Sequence, residues 1–257
     1  MTDIALQKLE KSLEILSETH RYDLIIDTAL KILSLDPQNL YATYELLRAY
    51  NNTHQYEKLI ESTTRALSIW PNNDILYEFV YLYYLSKGGL EYLKARDAML
   101  KAVELNPNNA AWHRNLAEIY LINREPDKAE KYLSNAVKLK PLNAEYRSRL
   151  ALSQIRLHKV KESLESISKC LRDDPDDQYV LDNAGMVYIL AGEIDKAEEL
   201  FRDALRRFPT YNYFQSHLDW VLREKADKEA RLTKGLKYTP LYIRQKDRKR
   251  FFDEESS

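Results

Sequence analysis

Six prolines impose the strongest constraint on this chain. Pro37, Pro71, Pro107, Pro141, Pro175 and Pro209 follow one another at intervals of 34, 36, 34, 34 and 34 residues. Proline lacks a backbone N–H and biases the residue before it away from helix, so each one is a stop signal. Two residues after the first five prolines stand Asn39, Asn73, Asn109, Asn143 and Asp177. Such side chains accept hydrogen bonds from the free N–H groups that open a helix. After Pro209 the place holds Tyr211, with Asn212 one step later, so the last restart differs. A period this regular indicates a repeat array and outranks any single-residue motif in deciding the fold.

The interior of one period reads as two helices. In residues 110–143, Trp112, Leu116, Ile119 and Tyr120 recur at helical spacing over about Ala110 to Asn123. A turn follows at Arg124 and Glu125, and Pro126 suits the first position of a second helix. Ala129, Leu133, Ala136 and Val137 form its apolar stripe until Pro141 ends it. Each unit is therefore an antiparallel helix pair, and the fold class is all-α.

These residues carry a family resemblance. Leu116, Ala117, Tyr120, Ala129, Leu133, Ala136 and Pro141 in the fourth unit, and Ala184, Gly185, Tyr188, Ala197, Phe201, Ala204 and Pro209 in the sixth, resemble the tetratricopeptide repeat (TPR). Alanine or glycine is needed where two helices cross closely, because a larger side chain would push them apart. The resemblance implies a right-handed α-solenoid of about six helix pairs, over 6–39, 40–73, 74–109, 110–143, 144–177 and 178–211, with a capping helix over 212–236 and a charged, flexible tail over 237–257. Two departures stand out. At the eighth place, where the family wants a small residue, the first three units carry Leu13, Leu47 and Tyr81, so their helix pairs are expected to sit further apart or at altered angles. Two extra residues near Gly88 and Gly89 predict a lengthened turn or a bend.

Composition narrows the function classes. With a formal net charge of −1 there is no global pull toward nucleic acid or anionic membrane. One cysteine allows no internal disulfide, which suits a reducing compartment. The opening MTDIALQKLEKSLEILSE has no continuous apolar run and does not read as a signal peptide; FVYLYYL is too short to span a bilayer. The expected location is cytoplasmic. His20, His54 and His158 share the fifteenth place of their units, after the first helix, where a left-handed backbone is often needed. One repeat apart, they cannot converge on a metal. Cys170 takes a place held by Ala66, Ala102, Ala136 and Ala204, and reads as a small core residue. No nucleophile elbow, phosphate loop or dinucleotide fingerprint occurs. Neither enzyme activity, cofactor nor metal is expected.

The TPR resemblance implies that outward places on the first helices line a concave groove. These are Tyr41, Tyr44, Arg48 and Asn51; Ile75, Glu78, Leu82 and Leu85; Ala111, Arg114, Glu118 and Leu121; Leu152 and Ile155; and Tyr179, Asp182, Met186 and Ile189. The stripe is more apolar and aromatic than a solvated face requires, and suits a peptide or helix of another protein. The alternative for any one residue is packing against a neighbouring helix. The Lys, Asn and Arg pattern by which chaperone-tail TPR domains hold a terminal carboxylate is not met. The expected function is thus a non-catalytic interaction scaffold or adaptor. Two alternatives remain: a nucleic-acid-associated adaptor using the basic cluster Lys246, Arg248, Lys249 and Arg250, blunted by Asp253, Glu254 and Glu255, and a scaffold that self-assembles into homo-oligomers.

Overall fold

The computed structural model describes residues 2–239. Among them are thirteen α-helices and no strand, an all-α repeat fold. The chain divides into two compact units, one ending at Trp112 and one starting at His113. The first holds α1 (Thr2–Glu18), α2 (Tyr22–Leu35), α3 (Leu40–Asn52), α4 (Tyr56–Ile69), α5 (Asp74–Lys87) and α6 (Tyr92–Leu105). The second holds most of α7 (Ala110–Ile122), then α8 (Pro126–Leu139), α9 (Ala144–Arg156), α10 (Val160–Asp173), α11 (Gln178–Ala191), α12 (Ile194–Arg207) and α13 (Asn212–Thr233). No described helix is long and apolar enough to cross a membrane.

All five cap residues after the prolines act as the sequence requires. Asn39 accepts from Ala42 N–H at 2.9 Å, Asn73 from Ile75 at 3.1 Å, Asn109 from Ala111 at 3.0 Å, Asn143 from Tyr146 at 2.8 Å and Asp177 from Val180 at 2.9 Å. Each bond satisfies a donor that the helix start leaves open, and such a cap contributes about 1 kcal/mol. Tyr211, before α13, offers no capping side chain.

The turns after the first helices are left-handed. φ is 55° at His20, 56° at His54, 58° at Arg124 and 64° at His158, while glycine serves at Gly88 and Gly192. The histidines do more than turn: His54 Nδ1 lies 2.8 Å from the Tyr56 hydroxyl, and His20 stacks on Tyr22. Where two residues are inserted, Gly88 and Gly89 both take positive φ, and a 3₁₀ turn, Gly89–Glu91, lengthens the connection to α6.

In five of the six helix pairs, core packing follows a reciprocal size rule. The eighth place of the first helix and the place opposite it on the second read Leu13 with Ala29, Leu47 with Thr63, Tyr81 with Met99, Ala117 with Leu133, Ala151 with Ile167, and Gly185 with Phe201, all buried. A large residue on one helix goes with a small one on the other, which keeps the summed volume near what close packing needs. Wider N-terminal pairs would follow from the first helix taken alone; in the first two pairs the small residue sits on the second helix, so the steric reason for wider spacing is offset. The third pair is large on both sides, and it is the pair with the lengthened turn.

Helix α13 closes the second unit. Phe214, Leu218 and Val221 are buried, with the Phe214 ring centroid 6.1 Å from that of Phe201. Leu222, next to Val221, is exposed. Lys225 pins the helix to α12 through Asp195 at 3.0 Å and Glu198 at 2.7 Å. The basic cluster Lys246, Arg248, Lys249 and Arg250 lies outside the described residues.

Candidate partner-binding faces

In the first unit, the expected face begins with residues that the repeat itself ties down. The cap asparagines work in both directions: while each oxygen holds its own helix start, the amide of Asn39 donates to Glu10 at 2.8 Å and that of Asn73 to the Tyr44 hydroxyl at 2.6 Å. Burial, ahead of its other neighbours, pushes the Tyr44 phenol up from its usual range. Glu45, buried, accepts from Ser17 at 2.9 Å and pairs with Arg48 at 2.5 Å, and Arg48 also donates to Ser17. Asp74 accepts from the Trp112 indole at 2.7 Å. These bonds tie α1 to α3 and α3 to α5, and leave Tyr41 (43% exposed) and Ile75 (37%) open. Asn51, Glu78, Leu82 and Leu85 are half-buried, and Leu82 packs on the core of the unit.

In the second unit, four charges of alternating sign interlock on α7 and α9. Arg149 meets Glu145 at 2.9 Å and Glu118 at 3.8 Å; Arg114 meets Glu118 at 3.3 Å and Glu145 at 3.5 Å. Their partial burial strengthens each pair relative to a fully exposed one. Arg149 also sits 5.9 Å from the centroid of Tyr179, a cation–π arrangement, and Tyr179 is 52% exposed. Asp182, half-buried, faces His217 of α13 at 2.7 Å. Tyr211, at the start of α13, is pushed up to about 12, by burial first and then by the charge of Asp182. Tyr213, 5.5 Å from it ring to ring, is largely exposed.

Three expected face residues point elsewhere. Leu152, Ile155 and Ile189 are buried in the core, the first two with Ala151, Ile167, Ala184 and Val187, the last with Phe201 and Phe214. The reason is the succeeding first helix: α11 packs on α9 and α13 on α11, and late places on a first helix turn toward that neighbour. Leu121 and Met186 are half-buried. Reading each helix separately misses the four-charge network. Its signal is the opposition of Arg114 and Glu118 to Glu145 and Arg149 one repeat on. His217 and Tyr211 escape the same reading because the closing helix has no repeat partner to align with.

Tetratricopeptide-repeat family models match residues 91–153 and 148–212. The Caenorhabditis elegans tetratricopeptide repeat-containing protein trd-1 is 30% identical over 114 residues, which is 44% of this chain and 14% of that protein, so the chain spans a small part of it. Among solved structures, the thermophilic TPR protein TTC0263 of Thermus thermophilus is 23% identical with a TM-score of 0.57, covering 72% of this chain and 100% of its own. Pseudomonas aeruginosa pilF is 16% identical, TM-score 0.66, covering 84% and 97%. YrrB, a TPR protein with an unusual peptide-binding site, is 19% identical, TM-score 0.55, covering 73% and 96%. At these identities the structural likeness shows the fold alone.

Proposed function

We propose that this chain, which belongs to the tetratricopeptide-repeat superfamily, is a non-catalytic scaffold whose first-helix faces hold a segment of another protein. One observation carries the reading: the aromatic residues left open on those faces stand beside charged side chains that are already held in ion pairs. Tyr179 rests on Arg149, itself held by Glu145 and Glu118, and Tyr41 is one turn from Glu45, which pairs with Arg48. Rigid, amphipathic aromatics that lose little freedom on docking are what a partner-binding surface uses as anchors. The fold is a protein-interaction fold in its family, and YrrB carries a peptide-binding site on the same architecture.

The test is site-specific photo-crosslinking in the source cell. A crosslinker at Tyr41 or Tyr179 should capture a discrete partner, and one at Glu162 on the exposed side of α10 should not. Tyr41→Ala with Tyr179→Ala should reduce recovery of that partner with the helical circular dichroism unchanged. Equal capture from all three positions, or recovery indifferent to the double variant, refutes the proposal.

A further inference from the structure

We propose that Arg156 and Arg124 form a binding site for an oxyanion, a carboxylate or phosphate group carried by a partner segment. The two residues meet at one atom. The carbonyl oxygen of Leu121, near the end of α7, accepts the backbone N–H of Arg124 at 3.2 Å and Nη1 of Arg156 at 3.3 Å. The α9 guanidinium is therefore seated on the turn in which Arg124 takes φ 58°.

What sets Arg156 apart is the absence of a counter-charge. Arg114, Arg147, Arg149 and Arg231, the other half-buried arginines of this unit, meet carboxylates at 3.3, 2.6, 2.9 and 3.0 Å. Among the described residues neither Arg156 nor Arg124 has an acidic partner. A guanidinium offers five N–H donors in a planar fork, and the Leu121 carbonyl engages one. Burial first, and the like charge of Arg124 second, push the Arg156 pKa down; both causes mean that the cation is under-compensated where it stands. A single oxyanion relieves both, by accepting forked hydrogen bonds from Arg156 and by neutralising the repulsion between the two arginines. Arg124 is exposed, so the anion approaches from solvent.

The proposal takes only the origin of the anion from the partner-binding reading, and free ions test it without any partner. The full chain, labelled with nitrogen-15 arginine, is titrated separately with inorganic phosphate and with acetate at constant ionic strength. The Nε–Hε resonances of Arg156 and Arg124 should shift saturably with at least one ion, and the affinity should fall at least tenfold in Arg156→Met and in Arg124→Gln. Response to phosphate alone assigns a phosphate; response to acetate assigns a carboxylate. No saturable shift with either ion, or binding unchanged in both variants, overturns the site. Should Arg156→Met fail to fold, Arg156→Lys keeps the charge and loses the fork, and unchanged affinity in it is equally fatal. Failure of the crosslinking experiment with ion binding intact would refute the partner reading and leave this site standing.

Discussion

The ring of Phe201 occupies the space where a side chain on Gly185 would begin: a Cβ built on that glycine comes within 3.0 Å of three ring carbons. Gly185 lies inside α11 at a helical backbone conformation, so its requirement is steric. Overpacking a tight core costs roughly 1–3 kcal/mol, and the helix propensity regained from alanine is at most about 1 kcal/mol. Gly185→Ala should therefore lower the denaturation midpoint. Adding Phe201→Leu reproduces the Ala117 and Leu133 combination of the fourth repeat, and should recover stability relative to the sum of the single changes. Urea melts of the four proteins decide this. A Gly185→Ala variant as stable as the parent would remove the size rule.

That rule also marks where the amino-acid sequence stops being legible by itself. The helix starts are legible because the side-chain oxygen of one asparagine or aspartate after each of the first five repeat prolines acts locally, on the helix it opens. The left-handed turns are legible because His20, His54 and His158 share one place. Volume balance is not, since it relates residues on two helices and only the pair has meaning. The same limit hides the burial of Leu152, Ile155 and Ile189. Each looks outward on its own helix, and the following first helix covers it. Tyr41 and Tyr179, at the second place, lie clear of that overlap and stand exposed.

Cys170 tests the alanine column of the second helices. It is buried, and burial, ahead of every charge nearby, pushes its thiol up. The thiolate is the reacting form, so labelling by a disulfide reagent should be slow in the native protein and fast in urea. Cys170→Ala should cost about 1 kcal/mol, because four other repeats place alanine there. Rapid native labelling at neutral pH would contradict the burial.

His54 tests the turn. With φ at 56°, a β-branched residue is strained there by about 1–2 kcal/mol, whereas glycine adopts the conformation freely and loses only the contact to Tyr56. His54→Val should be clearly destabilised and His54→Gly close to the parent in thermal melts. The reverse order would mean that the imidazole contact, not the backbone, fixes histidine at this place.

The closing helix should come loose in acid. Hydrogen bonds from Lys225 hold the carboxyls of Asp195 and Glu198 below the usual carboxylate range, and they hold Lys225 above its own. For the acids the folded pKa is the lower one, so their contribution is present above the unfolded value and disappears as pH falls through the folded one. For the lysine the folded pKa is the higher one, and its share persists until strongly alkaline pH. The vulnerable window is thus below about pH 4, where Asp195 and Glu198 take up protons and α13 loses its polar tie to α12, keeping the apolar packing of Phe214, Leu218 and Val221. Trp220 on the same helix packs at the edge of that core and reports the change. Its fluorescence should shift between neutral pH and about pH 3, and Lys225→Met should reduce the acid-dependent part of the shift. An acid transition identical in parent and variant would place the sensitive carboxylates elsewhere, with Asp173, held low by Arg147 in the same unit, the next to examine.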